Sequence, residues 1–240
     1  MFKLPYQIVF SDCDEQKRLT WPRLLDLMMQ VSNSQLTSWG VGISDLLAKN
    51  MGWVVVRYHF EVKAMPHAGD KVVLTTQASG HNRFFCYRDF GVETSEGESI
   101  IKVTSQWVII DLAKRKMVPP AEALGEKIAD AGPQNVQRFA RLHALPEYEK
   151  TLAQKVRYYD LDTNRHVDNA RYFNWLFDLP GRAFVDNHEV KTIDIQFDEE
   201  VKYGDNVLTA MQQEGTKSFF KIAAGTKQAA LCVIDWREDE

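Results

Sequence analysis

The sequence predicts an α+β protein made of two copies of one arrangement, a long helix wrapped by a curved antiparallel sheet. In each half of the 240 residues, a strand and an amphipathic helix precede four strand-like segments rich in Val, Phe, Tyr and Trp. Landmarks keep their spacing, since Gly69-Asp70 recurs at Gly204-Asp205 and Phe84-Phe85 recurs at Phe219-Phe220, both 135 positions later. Such fixed spacing is typical of a duplicated domain.

The first copy is assigned to residues 1–120. Alternating apolar residues predict a strand at 3–10, and Thr20 before Trp21-Pro22 is the predicted N-cap of the helix. Apolar side chains then recur at helical spacing until a glycine pair ends the pattern. Gly, Pro and Ser separate the strands that follow, at 53–64, 70–79, 83–94 and 99–111.

Residues 121–150 are predicted to be a linker, because this polar, Ala-rich stretch is interrupted by Gly and Pro. It has room for one or two short helices. The second copy is assigned to 151–240, with a strand at 154–159 and a helix at 169–178 that Asp168 caps. Its remaining strands are predicted at 190–201, 205–213, 217–225 and 228–236.

Composition excludes several classes of protein. A net charge of −4 argues against general nucleic-acid binding, which usually requires a strongly basic domain. Three widely spaced cysteines without a CxxC pair fit a reduced compartment, and six scattered histidines lack metal-ligand spacing. No pattern of a signal peptide or membrane span is found. We therefore expect a soluble, cytoplasmic protein with neither metal nor cofactor.

The polar chemistry is concentrated between Tyr158 and Asn169, where Asp162, Asn164 and His166 occupy alternate positions. In an extended segment, alternate side chains point to one side, so these three groups would converge. Asp and Asn are also common turn formers, which gives them a purely structural interpretation. The first copy has two acidic residues at matching positions, but Gln and Arg replace the amide and the imidazole. The sequence therefore predicts that only the second copy carries a site.

The segment from Asp160 to Tyr172, DLDTNRHVDNARY, resembles the signature Asp-Leu-Asp-x-Asn-x-His-Val-x-Asn-x-x-Tyr of the acyl-acyl carrier protein (acyl-ACP) thioesterases of plant plastids and bacteria. That family has two tandem hotdog domains, each a helix wrapped by an antiparallel sheet, and the resemblance extends over nearly the whole chain. It implies hydrolysis of the thioester between a fatty acyl chain and the phosphopantetheine arm of acyl carrier protein, within fatty acid biosynthesis. It also implies that the first domain houses the acyl chain.

The resemblance implies catalytic roles for Asp162, Asn164 and His166. A downstream Glu of the plant enzymes, which Cys follows there, corresponds best to Glu200 and leaves a valine in the Cys position. Glu199 stays an alternative, because this match needs a one-residue offset. Loss of the Cys argues against a Cys nucleophile and favours direct attack by water.

The chemistry of the residues agrees with this assignment. His166 or Glu200 is a suitable base for the attacking water, and which of them acts is left open. The Asn164 amide is a suitable donor to the developing oxyanion, together with backbone N–H groups at 167–169, where a helix begins. Asp162 is expected to orient this network.

Alternatives in substrate and function stay open. An acyl-CoA thioesterase of the same fold is the nearest alternative, and a non-catalytic acyl-thioester-binding protein is another. Carrier protein is the expected partner, and the oligomeric state, including a homodimer, is not determined by the sequence. Basic residues that are candidates for docking an acidic carrier protein are Lys114, Arg115, Lys116, Arg138, Arg141, Lys155, Arg157 and Arg165.

Overall fold

The computed structural model of the chain describes residues 1–127, 132 and 137–238, and it contains two compact units. Unit 1 comprises Met1–Leu19 and Leu24–Phe139, and unit 2 comprises Thr20–Arg23 and Ala140–Glu240. No helix in the described part of the chain is both long and apolar enough to span a membrane. The helices are α1 (Trp21–Ser38), α2 (Ile43–Leu47), α3 (Pro120–Leu124), α4 (Asn169–Asp178) and α5 (Arg182–Asp186).

Unit 1 contains an antiparallel sheet in the order β1-β3-β4-β5-β2, and the short strand β6 pairs with β5. Apolar side chains alternate along these strands, as expected for a sheet with one buried face. The strands are β1 (Phe2–Gln7), β2 (Met51–Val62), β3 (Lys71–His81), β4 (Cys86–Thr94), β5 (Ser99–Asp111) and β6 (Lys116–Val118).

Helix α1 buries one apolar stripe, and leucine and other aliphatic side chains recur along it at three- and four-residue intervals. A hydrogen bond from Arg88 on β4 to Gln35 ties the helix to the inner face of the sheet. This pairing of one helix with one sheet is the arrangement that the sequence predicts. The buried side chains of the stripe are Leu24, Leu25, Leu27, Met28 and Val31.

Unit 2 repeats this plan with a sheet in the order β8-β11-β10-β9-β7, again antiparallel. Helix α4 packs on β8 and β11 through edge-to-face ring contacts, Tyr172 with Phe197 at 5.2 Å and Phe177 with Trp236 at 5.6 Å between centroids. The strands are β7 (Lys150–Lys155), β8 (His188–Phe197), β9 (Asn206–Glu214), β10 (Lys217–Ala224) and β11 (Lys227–Glu238).

Most predicted elements match observed ones, and the helix predicted at 169–178 has the predicted bounds and cap. The strand predicted at 154–159 is wrong over most of its length, since the observed strand is Lys150–Lys155 and only 154 and 155 are shared. The chain leaves the sheet after Lys155, and residues 158–160 form a 3-10 helix whose Asp160 carboxylate accepts the Arg157 N–H at 2.7 Å. The strand predicted at 3–10 ends early for the same reason, at Gln7. Short elements α2, α5 and β6 were not predicted.

The predicted linker begins with α3, in which Pro120 occupies the first helical position. Residues 128–131 and 133–136 of the linker lie outside the described residues. The division of the chain at 120 and 150 therefore stays a prediction.

The duplication is present, but its predicted spacing holds only for part of the chain. Asp205 caps its turn as Asp70 does, accepting the backbone N–H three residues earlier at 2.9 and 2.8 Å, which confirms the 135-residue match there. The match of Phe84-Phe85 with Phe219-Phe220 is wrong. Thr76 on β3 pairs with Phe90, whereas the matching position on β9 pairs with Phe220. The connection between β3 and β4 is longer than the tight turn between β9 and β10, and this shifts the register.

Candidate active site

Asp162 is the centre of a tight turn in unit 2 that holds the predicted site residues. Its Oδ1 accepts the backbone N–H groups of Asn164 and His166 at 2.8 and 3.2 Å, and its Oδ2 accepts the Asn164 side-chain amide at 3.1 Å. The Asp162 N–H also donates to the His166 carbonyl at 2.8 Å. The carboxylate thus fixes the positions of both neighbours.

The expectation that Asp162, Asn164 and His166 lie on one side of an extended segment is wrong. Arg165 has a φ of +66°, in the left-handed region, and reverses the chain between the amide and the imidazole. Instead the Asp162 carboxylate holds the Asn164 side chain and the backbone N–H groups of Asn164 and His166 in a tight turn, which satisfies N–H groups that a short unpaired strand would leave open.

The imidazole of His166 and the carboxylate of Glu200 contact each other in the site. The imidazole Nε2 lies 3.1 Å from the Glu200 Oε2, and the two side chains are 22% and 29% exposed. Backbone pairing brings them together, because the strand-like segment after the turn forms a bridge between His166 and Lys202 and the Val167 N–H donates to the Val201 carbonyl at 2.9 Å. The partial exposure leaves the pair within reach of water and of a substrate.

Of the two glutamates that the sequence left open, Glu200 is the one beside the imidazole. Glu199 is exposed and lies 3.5 Å from the ammonium of Lys227. Val201, the residue after Glu200, is 1% exposed. The contacts therefore favour Glu200 over Glu199 as the partner of the imidazole, and the match to the plant Glu and Cys stays a prediction.

Of the candidate oxyanion donors, the Asn164 amide is the main one that stays available. The predicted contribution of backbone N–H groups is wrong for two of the three, since Val167 donates to Val201 and Asp168 donates to the Asp160 carbonyl at 2.8 Å. The Asp168 carboxylate caps α4 by accepting the Ala170 N–H at 2.8 Å. Asn164 is exposed, and its amide nitrogen carries a second hydrogen beyond the one given to Asp162.

Two residues of the same segment were not assigned a role from the sequence. Tyr172 is buried on α4, and burial together with the neighbouring Glu200 carboxylate raises the pKa of its hydroxyl. The Asn169 Oδ1 is buried and has no hydrogen-bond partner among the described residues. Both belong to the DLDTNRHVDNARY segment, so their place in this motif was the sequence feature that could have marked them as site residues.

The three cysteines lie in environments that disfavour the thiolate. Burial raises the pKa of Cys86 to about 12 and raises that of Cys232 well above its usual value. For Cys13, burial and then the carboxylates of Asp12, Asp14 and Asp70 raise the pKa. Because the thiolate is the nucleophile, none of these groups is activated.

The fold and this site together define a class of protein. Each unit is a helix packed on an antiparallel sheet, the hotdog arrangement. Unit 2 carries an imidazole paired with a carboxylate, and the exposed amide of Asn164 lies in the turn that leads to the imidazole. These groups suit addition of water to an acyl group.

The comparisons with known proteins identify the family. Residues 1–127 match the model of the acyl-ACP thioesterase N-terminal domain, and residues 144–238 match that of the acyl-ACP thioesterase C-terminal domain. Together these matches span most of the sequence. The chain belongs to the acyl-ACP thioesterase family.

Named relatives agree with this assignment. The chain is 27% identical over 205 residues to a chloroplastic palmitoyl-acyl carrier protein thioesterase of Gossypium hirsutum, covering 81% of this chain and 49% of the relative. It is 25% identical over 189 residues to oleoyl-acyl carrier protein thioesterase 2 of Arabidopsis thaliana, covering 72% and 51%. The chain thus spans about half the length of the curated relatives it matches.

Solved structures share the fold along the whole chain. A crystal structure described as an oleoyl thioesterase from Lactobacillus plantarum superposes with a TM-score of 0.87 at 27% identity, covering 100% of this chain and 96% of that one. The 12:0-ACP thioesterase from Umbellularia californica superposes at 0.89 with 20% identity, covering 99% and 97%, which supports the fold alone. The predicted α+β, tandem hotdog architecture is confirmed.

Proposed function

We propose that this protein is a thioester hydrolase that releases free fatty acid from acyl-ACP by direct attack of water. The observation that carries the proposal is the 3.1 Å contact of His166 with Glu200 in a member of the acyl-ACP thioesterase family. In this proposal Asp162, Asn164, His166 and Glu200 are the active-site residues.

His166 is the base in this mechanism, and Glu200 orients it. A neutral imidazole carries one proton, so an Nε2–H that donates to the Glu200 carboxylate leaves the lone pair of Nδ1 to accept a proton from water. The ionised partner stabilises the imidazolium that forms. Base catalysis of this kind contributes about 10²–10⁴-fold to a rate.

The reaction runs in two steps that balance. The water oxygen attacks the thioester carbonyl carbon while its proton passes to His166, and the carbonyl electrons move onto an oxygen that accepts a hydrogen bond from the Asn164 amide. The carbonyl then re-forms as the carbon–sulfur bond breaks, and the thiolate takes the proton from His166. The products are a fatty acid and the thiol of the phosphopantetheine arm.

The surface beside the catalytic turn supports an acidic carrier protein as partner. Lys155, Arg157 and Arg165 are exposed there, and Tyr158 and Tyr159 are 72% and 87% exposed. Cations of this kind steer an acidic partner, and exposed aromatic rings are typical of interfaces. The proposal also assigns the acyl chain to the first domain, the linker to 121–150, and a cytoplasmic location to the protein.

A hydrolysis assay across chain lengths tests the proposal. Thiol release from acyl-ACP should exceed that from the matched acyl-CoA, and Asn164→Ala should lower kcat by about 10²–10³-fold, the usual cost of losing an oxyanion donor. Gln16→Ala, at the matching position of the first copy, is the control and should keep its rate. Equal turnover of acyl-CoA would favour the acyl-CoA thioesterase, and no turnover of either would refute hydrolysis.

A further inference from the structure

A second polar cluster lies inside unit 1, well apart in sequence from the catalytic turn. Arg88 on β4 is only 6% exposed, and its Nη1 donates to the Gln35 Oε1 at 2.6 Å and to the Thr76 Oγ1 at 2.9 Å. The guanidinium carbon lies 5.9 Å from the centroid of the Trp39 ring. A cation is therefore held in the interior by neutral acceptors and an aromatic face.

The charge of this arginine has no carboxylate bonded to it among the residues that the structure describes. Burial lowers the pKa of Arg88 to about 10, in spite of the opposing effects of Cys86 and Asp89. Asp89 is the next residue on the strand, where side chains point to the opposite face, and its Oδ1 accepts the Ser79 hydroxyl at 3.0 Å. Buried charges are usually paired, because an unpaired one is costly.

The donors of Arg88 that remain have the geometry that a carboxylate needs. A guanidinium has five N–H groups in a planar fork, and Nη1 makes both hydrogen bonds that the Arg88 side chain donates in the described structure. Nε and Nη2 present two parallel N–H groups, which match the two oxygens of a carboxylate. On the same face of β4, the neighbouring side chains Cys86 and Phe90 are apolar and buried.

The cluster is specific to unit 1. Register places Ser218 where Arg88 stands, because Phe90 and Phe220 pair with the matching residues Thr76 and Met211. Ser218 is fully buried, and its hydroxyl oxygen accepts a hydrogen bond from the indole N–H of Trp236 at 2.8 Å. A neutral residue therefore has a hydrogen-bond partner in the core of unit 2 at this position. A duplicated fold therefore does not need a cation at this position.

We propose that Arg88, with Gln35 and Thr76, binds the carboxylate of a molecule with a long apolar chain inside unit 1. Such a carboxylate has two sources in the chemistry of this protein. One is the free fatty acid that hydrolysis releases, and the other is the distal carboxylate of a dicarboxylic acid held as its half-thioester. The inference goes beyond the proposed function, since both sources rest on that function but the binding of a carboxylate by Arg88 does not.

Equilibrium binding tests the carboxylate site directly. Saturated fatty acids from octanoate to hexadecanoate and the alcohols of equal length would be titrated against the protein. The acid should bind about 10- to 100-fold more tightly than the alcohol, as expected for hydrogen bonds to a charged group. Arg88→Met should remove this difference. Arg83→Met is the matched control, since Arg83 lies in the same hairpin over the Phe84 ring but is exposed, and it should keep the difference.

A second variant controls for loss of binding that is caused only by misfolding. Replacing Arg88, Gln35 and Thr76 by Met, Leu and Val makes the cluster apolar, a change that is often neutral or stabilising in a core. This triple variant should keep its thermal transition and still bind the alcohol. Acid and alcohol binding equally to the wild type, or an acid preference that survives in the folded triple variant, would overturn the inference.

Hydrolysis distinguishes the two sources. The wild type could hydrolyse the half-thioester of a dicarboxylic acid faster than the unsubstituted acyl thioester and lose this advantage in Arg88→Met. That result would assign the site to the distal carboxylate. Tight binding of free fatty acid without this advantage assigns it to the product. Protein that binds the acid but hydrolyses no thioester would refute the proposed function and leave this inference standing.

Discussion

The two copies build the same turn around an aspartate. In unit 1 the Asp14 Oδ1 accepts the backbone N–H groups of Gln16 and Arg18, both at 2.9 Å, as Asp162 does for its own neighbours. Lys17 has a φ of +64°, against +66° for Arg165. The carboxylate-centred turn is therefore a property of the fold, and an aspartate at this position does not by itself indicate catalysis.

The copies differ in what the turn presents. The Arg18 side chain folds back and pairs with Asp14, Nε to Oδ2 at 3.1 Å, whereas His166 reaches across to Glu200. The Leu19 N–H donates to the Pro66 carbonyl as Val167 does to Val201, so Met65 stands where Glu200 stands. Unit 1 thus lacks the imidazole, the glutamate and the asparagine at once. The difference shows that chemistry here depends on three side-chain positions added to a shared backbone.

The largest expected effect comes from the imidazole. His166→Ala should lower kcat for acyl-ACP hydrolysis by at least about 10²-fold and up to about 10⁴-fold, because it removes the base. Arg18→Ala changes the matching residue of unit 1 and should leave the chemical step unchanged. Single-turnover kinetics separate that step from product release. A collapse of the rate in Arg18→Ala would show that unit 1 takes part in the chemistry.

A smaller loss is expected at the carboxylate that orients the base. Glu200→Gln keeps an acceptor for the imidazole N–H but removes the charge, and a hydrogen bond to a charged group is worth roughly 1.5–3 kcal/mol, or about 10- to 100-fold in rate. Glu199→Gln is the control, since Glu199 is exposed and lies near Lys227. A loss in Glu200→Gln as large as that in His166→Ala would make Glu200 itself the base.

Local patterns predicted the elements that local interactions define. Helix α4 was predicted to the residue, because Asp168 caps it and its apolar face is periodic. The left-handed Arg165 was not predicted, since a string of alternating polar residues fits both a strand and a turn until the chain's hydrogen bonds are known. For the catalytic glutamate the sequence left two candidates, Glu199 and Glu200. The bridge between His166 and Lys202, which are distant in sequence, places Glu200 beside the imidazole. Arg88 gave no signal, because its burial depends on contacts with α1 and β3.

The smallest effect on the rate is expected from replacing the cysteines. One of them, Cys13, lies in the turn of unit 1. Cys13 lies next to Asp14, and its thiol donates to the Val9 carbonyl at 3.6 Å. In the second copy Leu161 forms the matching bridge, so the turn that carries His166 has a leucine where the first copy has a cysteine. Replacing Cys13 by Ser and both Cys86 and Cys232 by Ala should therefore preserve most of the rate. Activity would be measured per folded protein, well below the thermal transition, because the two buried replacements cost packing. Loss of hydrolysis in a folded triple variant would restore a thiol nucleophile.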